Sequence, residues 1–239
     1  TLKLRIRRSD NETETQKNRK KKIWPHREFR RLLLRARRPE KTTITALVQQ
    51  HLGAHAPDVQ SAHDLGRAIF GHEDWHRFDG GLLDLHEVAG RTAQRLGLPL
   101  DGLHQLLDPI GERLSPIAES VALLDSLRER REQQGDVRLY YLSNMPEPFA
   151  RVLEQRHDFL GWFDGGVCSG DVQLCKPDPR IYTKLAERHR LDPARTLFID
   201  DLPGNVEAAE ALGWHGEHCA TPDGLHQRVW TRLQSQFGL

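Results

Sequence analysis

Apolar residues recur with helical spacing through the first half of the chain and in short continuous runs through the second half. Segments such as ALVQQHLGAH and SAHDLGRAIFGHEDWHRF, within residues 46–115, place apolar side chains at i, i+3 and i+4, which predicts a series of helices. After residue 116, helical segments alternate with short β-rich segments, which predicts βαβ crossovers and a parallel sheet. The predicted strands are VRLYYLS, GGVCS, TLFID and a weak WHGEHC, and the predicted helices are 117–131, 147–157, 179–189 and 205–213.

Residues 1–45 have a different composition. TLKLRIR alternates apolar and basic residues, which predicts a half-exposed strand, and the following SDNETETQKNRKKK has no apolar residue. Residues 1–41 contain 16 basic and five acidic residues, so their net charge is +11, whereas the remainder of the chain has a net charge of −10. One interpretation is an arm that binds nucleic acid or another anionic surface. We favour the other, a basic leader that is disordered or non-native, because it has too few apolar side chains to order itself.

The composition of the 239 residues excludes several classes of protein. No stretch of about 18 apolar residues is present, and the first residues do not resemble a signal peptide, so we expect neither a membrane span nor secretion but a cytoplasmic protein. Three cysteines without a C-x-x-C pair argue against a disulfide scaffold or a structural zinc site. HEDWH at 72–76 fits the H-E-x-x-H zinc pattern, but it has no third ligand at a suitable spacing, so we do not favour it.

Polar residues follow three of the predicted strands, at the sheet edge where ligands bind in such folds. Adjacent carboxylates repel each other unless a cation lies between them, and a small set of hard oxygen ligands suits Mg²⁺ together with a substrate phosphate. An ammonium and a hydroxyl at the same edge would offset and hydrogen-bond the phosphoryl oxygens. Singly, each residue has an ordinary structural explanation, such as Asn205 capping the helix that follows it. The residues are Ser143 and Asn144 after the first strand, Lys176 after the second, and Asp200, Asp201 and Asn205 after the third.

Three segments in this order resemble motifs of the haloacid dehalogenase (HAD) superfamily of hydrolases. LSN at 142–144, KPDPRIY at 176–182 and FIDDLPGN at 198–205 are similar to its second, third and fourth motifs, in the subgroup with a helical cap. The resemblance implies a HAD-like three-layer α/β/α parallel (Rossmann-like) sheet at 116–239, with a helical cap at 46–115. It also implies Mg²⁺-dependent hydrolysis of a phosphate monoester, such as a sugar phosphate or a nucleotide, through an aspartyl-phosphate.

The same resemblance implies a role for each motif residue. Ser143 and Lys176 would be catalytic and would bind the substrate together with Asn144. Asp200, Asp201 and Asn205 would bind the magnesium ion.

The first motif of the family, which carries the nucleophilic Asp at the end of an apolar strand, is not found. It should lie near 35–45, where the sequence reads RARRPEKTTIT. Asp10 follows a strand that is too basic for the middle of a sheet, and Asp79 in FDGGLL belongs to the cap. We therefore expect a sheet without its middle strand, an impaired hydrolase, and a segment 1–45 derived from an altered reading frame. The alternative is a non-catalytic HAD-like scaffold with a basic nucleic-acid-binding arm.

Overall fold

The structure, a computed structural model, describes residues 2–6, 34–36 and 44–239, and for the first two ranges it describes the backbone. These two ranges form strands β1 (Leu2–Ile6) and β2 (Leu34–Ala36). Most of the basic segment, including Asp10, lies outside the described residues. The expectations of a nucleic-acid-binding arm and a non-native leader therefore stay predictions.

Helices occupy residues 44–113, as the spacing of apolar residues predicts, and we call this region the helical segment. Asp58 and Asp84 begin two of these helices with capping boxes, in which each carboxylate accepts a hydrogen bond from the backbone N–H three residues later. A short strand, β3 (Leu114–Pro116), follows and pairs with β2 in an antiparallel ladder. The helices are α1 (Ile44–Leu52), α2 (Val59–Phe70), α3 (Glu73–Asp79), α4 (Leu85–Leu96), α5 (Leu100–Leu107) and α6 (Ile110–Arg113).

Strands and helices alternate through the rest of the chain. Two short 3₁₀ helices, Asp158–Trp162 and Pro193–Arg195, lie in the connections. The elements are α7 (Ala118–Gln134), β4 (Val137–Ser143), α8 (Glu147–Arg156), β5 (Gly165–Cys168), α9 (Ser169–Val172), α10 (Pro179–His189), β6 (Thr196–Asp200), α11 (Pro203–Glu210), β7 (His215–His218) and α12 (Leu225–Phe237).

The main sheet has the strand order β5-β4-β1-β6-β7. The β4–β5 and β6–β7 pairs are parallel, as predicted, but β1 is antiparallel to both of its neighbours. The expectation that the middle of the sheet is empty is therefore wrong. A gap there would leave main-chain N–H and C=O groups of β4 and β6 unpaired inside the protein, and the backbone of β1 satisfies them despite its alternating basic residues.

The direction of β1 decides which of its ends meets the polar edge of the sheet. Leu2 pairs with Tyr141 and Ile199, close to the carboxyl ends of β4 and β6, whereas Ile6 pairs with Val137 at the start of β4. The carboxyl end of β1 therefore lies at the edge of the sheet opposite the predicted site.

The two faces of the sheet pack against separate groups of apolar side chains, which gives the three layers. Leu139 and Leu197 face a large cluster that extends into the helical segment, and Leu142 and Phe198 face a smaller one beneath α10 and α11. Every residue of β6 is buried, as expected for an inner strand covered on both faces. Among the residues described here, no helix has the length and apolar character needed to cross a bilayer.

Candidate active site

Lys176 joins the loops that follow β4, β5 and β6. Its Nζ donates a hydrogen bond to the main-chain carbonyl oxygen of Leu142 at 3.0 Å and lies 2.8 Å from Oδ2 of Asp200. Both charged side chains are buried. Ser143, the last residue of β4, is half-buried beside them. The structure thus brings the predicted lysine, carboxylate and hydroxyl to one edge of the sheet.

Asp200 is held by hydrogen bonds on both carboxylate oxygens. Oδ1 accepts from the Asn205 side-chain amide at 2.9 Å and from the Leu202 N–H at 3.0 Å, while Oδ2 receives Lys176. Asn205 does not cap α11, because that helix already begins at Pro203. The side-chain amide of Asn205 donates to Asp200 instead. Asp200 is therefore held inside the protein between the Lys176 ammonium and the Asn205 amide.

Asp201 has a different environment from its neighbour. Its Oδ2 is buried and has no hydrogen-bond partner among the described residues. Burial, and then the negative charge of Asp200, raise its pKa from 3.8 to about 6. Its main-chain carbonyl oxygen lies 3.1 Å from Nε2 of His218, at the end of β7.

The donor set at this edge fits a hard divalent cation. The Asp201 oxygen is buried, has no partner in the described part of the chain and lies next to a second carboxylate, which favours binding of a cation that would relieve the repulsion. Within 2–6, 34–36 and 44–239, no group of three or more His, Cys, Asp or Glu side chains is arranged to hold a metal ion. Mg²⁺ keeps several of its waters when it binds to a protein, so a site with few protein ligands suits this ion.

Asn144 uses its side chain to hold the lysine loop. Its Oδ1 accepts from the Lys176 N–H at 2.8 Å, and its Nδ2 donates to the Lys176 carbonyl oxygen at 3.0 Å. The carboxamide therefore pairs with the backbone of the very residue that carries the ammonium. This role was not predicted, because nothing in the spacing of the two residues shows that their loops meet.

Tyr182 is a further residue that the sequence analysis did not assign. It lies on α10, is fully buried, and donates a hydrogen bond from its hydroxyl to the Asn205 carbonyl oxygen at 2.9 Å. Its ring packs edge-on against Phe198 and Trp214, and burial raises the pKa of its phenol. The helical spacing of α10 predicts Tyr182 as a core residue, but it gives no sign of the bond to Asn205.

The helical segment contributes α3 to this side of the molecule. Trp75 and Phe78 are buried in the core, so they serve packing. Asp79 is the last residue of α3 in the helical segment, and its assignment to a cap stays a prediction. His72 lies before the first turn of α3, where its ring nitrogen accepts a hydrogen bond from the Asp74 N–H, so the HEDWH residues do not lie in one continuous helix.

A family model of haloacid dehalogenase-like hydrolases matches residues 12–213 of the chain. The chain belongs to the haloacid dehalogenase-like hydrolase family. The match begins at residue 12, earlier than residue 46, where the motif-based resemblance begins. Recognition of the family from three motifs is thereby confirmed, together with its fold class and its membership of a hydrolase family.

Curated relatives of this HAD-like hydrolase include phosphatases. The chain is 30% identical over 158 residues to a sesquiterpene phosphatase, astK, of Aspergillus oryzae. The aligned region covers 66% of this chain and 78% of the relative. It is 25% identical over 153 residues to flavin mononucleotide hydrolase 1 of Arabidopsis thaliana, covering 63% of this chain and 58% of the relative. Phosphoglycolate phosphatase of Escherichia coli is 33% identical over 72 residues, 30% of this chain and 29% of its own length. The chain thus spans less than two thirds of the second and third relatives.

Solved structures of HAD enzymes share the fold. A HAD family enzyme of Bacteroides thetaiotaomicron superposes with a TM-score of 0.56 at 18% identity, over 78% of this chain and 87% of that one. Its complex with magnesium and inorganic phosphate has a TM-score of 0.54 at 19% identity, over 78% and 88%. L-2-haloacid dehalogenase of Xanthobacter autotrophicus, with chloropropionic acid covalently bound, gives 0.54 at 19% identity, over 82% and 79%.

Proposed function

We propose that the site is built for Mg²⁺-dependent hydrolysis of a phosphate monoester on a small phosphorylated metabolite. One observation carries the proposal: a buried ammonium lies at the same edge of the sheet as a buried carboxylate oxygen that has no partner among the described residues. The first attracts the negative charge of a phosphoryl group and the second the positive charge of a cation. The names of the relatives, which range from a sesquiterpene phosphatase to a phosphoglycolate phosphatase, support a phosphorylated substrate without fixing the rest of it.

Each motif residue has a place in this proposal. Asp201 would bind Mg²⁺ directly, with Asp200 and Asn205 holding the acidic loop in shape, and the bound ion would offset phosphoryl charge. The Lys176 ammonium and the Ser143 hydroxyl would hold phosphoryl oxygens. The backbone of Asn144 would donate a further hydrogen bond, while its side chain keeps the lysine loop in position.

We also propose that turnover by this chain is impaired. The family mechanism needs a nucleophilic Asp at the carboxyl end of the middle strand, next to the metal site. Here β1 fills the middle of the sheet in the opposite direction, so its carboxyl end lies at the other edge. No residue of β1, Leu2–Ile6, is an Asp, and the carboxyl end of this strand is not the end beside Lys176.

The proposed organisation of the chain follows the family. We propose a helical cap over 46–115 and an α/β core over 116–239, with the leader proposed for 1–45 limited to the part of that segment outside β1, which lies in the middle of the core sheet. The cap would cover the polar edge of the sheet and contact the part of the substrate beyond its phosphate. The three cysteines are all free, which supports a reducing compartment, and we propose the cytoplasm.

Calorimetric titration of the protein with inorganic phosphate, with and without Mg²⁺, tests the binding site. We expect phosphate binding that requires Mg²⁺ and that weakens at least tenfold in Asp201→Asn and in Ser143→Ala. Asp192→Asn, a change of an aspartate at the other end of β6, serves as the matched control and should bind phosphate as the wild type does. Equal binding by the wild type and Asp201→Asn would refute the proposed metal site.

Turnover is tested separately, with p-nitrophenyl phosphate and Mg²⁺. We expect little or none. Robust hydrolysis that Asp201→Asn abolishes would refute the proposed impairment and would establish the phosphatase activity itself.

A further inference from the structure

Ser169 is a buried side chain to which the proposed chemistry gives no role. It is the first residue of α9 and has no exposure to solvent. Its hydroxyl accepts a hydrogen bond from the Met145 N–H at 2.8 Å and donates one to the main-chain carbonyl oxygen of Asp79. One hydroxyl thus links three separate parts of the chain: the loop after β4, the residue after β5, and the end of α3.

Backbone contacts around Ser169 are unusually close. Gly81 has a φ of +67°, and a Cβ at this position would lie 2.6 Å from the Gly170 carbonyl oxygen. A Cβ at Gly170 would lie 2.9 Å from the Glu147 nitrogen, and the Gly170 N–H donates to the Met145 carbonyl oxygen at 3.3 Å. Both glycines are needed because no side chain fits between these backbones.

Side chains on either side of Ser169 complete the contact. Phe78 of α3 packs edge-on against Phe149 of α8, with ring centroids 5.3 Å apart. Gly80 lies against Cys175, whose Sγ would be 3.4 Å from a Cβ at that glycine. Cys175 directly precedes Lys176, so residues 78–81 lie against the chain beside the lysine and are connected to the chain beside Asn144 through Ser169.

We propose that Ser169 is a positioning residue that couples the helical segment to the phosphate-binding loops. The connection runs from the Asp79 carbonyl through Ser169 to Met145, and from there to Asn144, whose carboxamide holds the Lys176 backbone. A displacement of α3 would therefore shift the groups proposed to bind the phosphoryl oxygens. This inference rests on the function proposed for the site, and it adds the residue through which the helical segment acts on it.

Hydrogen–deuterium exchange of Ser169→Ala, followed by mass spectrometry, tests the coupling without requiring activity. Loss of two buried hydrogen bonds should raise exchange about tenfold in peptides covering 78–82 and 143–147, and leave α2 and α12 unchanged. Ser120→Ala is the matched control, because Ser120 is also buried but its hydroxyl has no hydrogen-bond partner among the described residues. A uniform rise in exchange across the protein, or no rise over 143–147, would overturn the proposal.

Gly81→Ala approaches the same contact from the helical segment, and it carries the test if Ser169→Ala does not fold. Gly81→Ala should raise exchange over 143–147 as well as over the peptide 78–82 that contains the substitution. Unchanged exchange over 143–147 would overturn the coupling. If both single variants fold, combining them should raise exchange there no further than the larger single effect, because both changes release one contact.

Calorimetry with inorganic phosphate and Mg²⁺ links the contact to the site. We expect the dissociation constant to rise about tenfold in Ser169→Ala and to stay unchanged in Ser120→Ala. Unchanged affinity in Ser169→Ala, despite faster exchange over 143–147, would make Ser169 merely structural and overturn its positioning role. If the wild type itself binds no phosphate, the proposed function falls, while the exchange experiment still decides whether Ser169 couples the two regions.

Discussion

Lys176 and Asp200 form an ion pair that is almost completely shielded from water. Their charged atoms are 2.8 Å apart, and the two side chains are 6% and 1% exposed. Each charge is stabilised mainly by the other and by main-chain or amide groups around it. The pair therefore contributes to the fold as well as to the site, and the two contributions can be separated by substitution.

Replacing Lys176 by Met should reduce the free energy of unfolding by about 3–5 kcal/mol, because it leaves the Asp200 charge buried without its partner. The double variant Lys176→Met/Asp200→Asn should lose less than the sum of the two single changes, since neither member of the pair is then left charged without the other. Urea unfolding measures all three. Lys184→Met, an exposed lysine of α10, is the control and should change stability by less than about 0.5 kcal/mol. A loss below about 1 kcal/mol in Lys176→Met would contradict the burial of the pair.

Asp201→Asn should stabilise the metal-free protein while it removes the proposed metal ligand. The pKa of Asp201 is raised from 3.8 to about 6, so the folded protein binds more protons than the unfolded chain between these values. Stability of the wild type should fall as the pH rises through this interval and then stay level. Above pH 6, the Asp201→Asn variant should be more stable than the wild type by about 1–2 kcal/mol, allowing for partial exposure.

Unfolding with EDTA at pH 4 and pH 7 measures this difference. The two proteins should approach each other in stability at pH 4 and separate at pH 7. A wild type that is equally stable or more stable than Asp201→Asn at pH 7 without metal would show that the Asp201 carboxylate already has a partner.

Tyr182→Phe removes one buried hydroxyl and keeps the ring that packs on Phe198. The hydrogen bond to the Asn205 carbonyl is lost, so we expect a destabilisation of about 1–2 kcal/mol in thermal or urea unfolding. Tyr141→Phe is a matched control, since the Tyr141 hydroxyl makes no hydrogen bond within the described part of the chain, and it should stay within about 0.5 kcal/mol of the wild type. Equal effects of the two changes would argue against the Tyr182 bond.

Two glycines should respond in opposite directions to replacement by alanine. Gly90 lies inside α4 with open space around a Cβ, so Gly90→Ala should stabilise the protein by about 0.5–1 kcal/mol. A Cβ at Gly166 of β5 would lie 2.4 Å from the Tyr141 ring, so Gly166→Ala should destabilise it by about 1–3 kcal/mol. Thermal unfolding of both variants checks the signs, and a stabilising Gly166→Ala would contradict the packing of this strand.

The local pattern of the sequence predicted much of the α/β region. β4, β6 and α10 have the bounds predicted from VRLYYLS, TLFID and PRIYTKLAERH, because a continuous apolar run or a regular helical spacing defines each of them. The helix α12 was not assigned, although Leu225, Val229 and Leu233 recur every four residues on its buried face. This spacing is the same signal that predicts the other helices.

Contacts between distant parts of the chain could not be predicted in the same way. The motifs placed Ser143, Lys176 and Asp200 at one edge of the sheet, because parallel strands end on the same side. The two hydrogen bonds between the Asn144 side chain and the Lys176 backbone depend on how two loops meet, and the spacing of apolar residues carries no information about that. The direction of β1 likewise depends on main-chain pairing with partners far along the chain. The basic composition of this strand therefore led to the wrong prediction that the middle of the sheet is empty.

The position of β1 also bears on how the protein is made. Leu2 pairs with both Tyr141 and Ile199, so the first described strand completes its ladders only with segments synthesised much later. On the ribosome, where the amino-terminal part emerges first, β1 has neither neighbour until β4 and then β6 have left the exit tunnel. Closure of the sheet is therefore a late event of high contact order, and we expect it to follow release of most of the polypeptide.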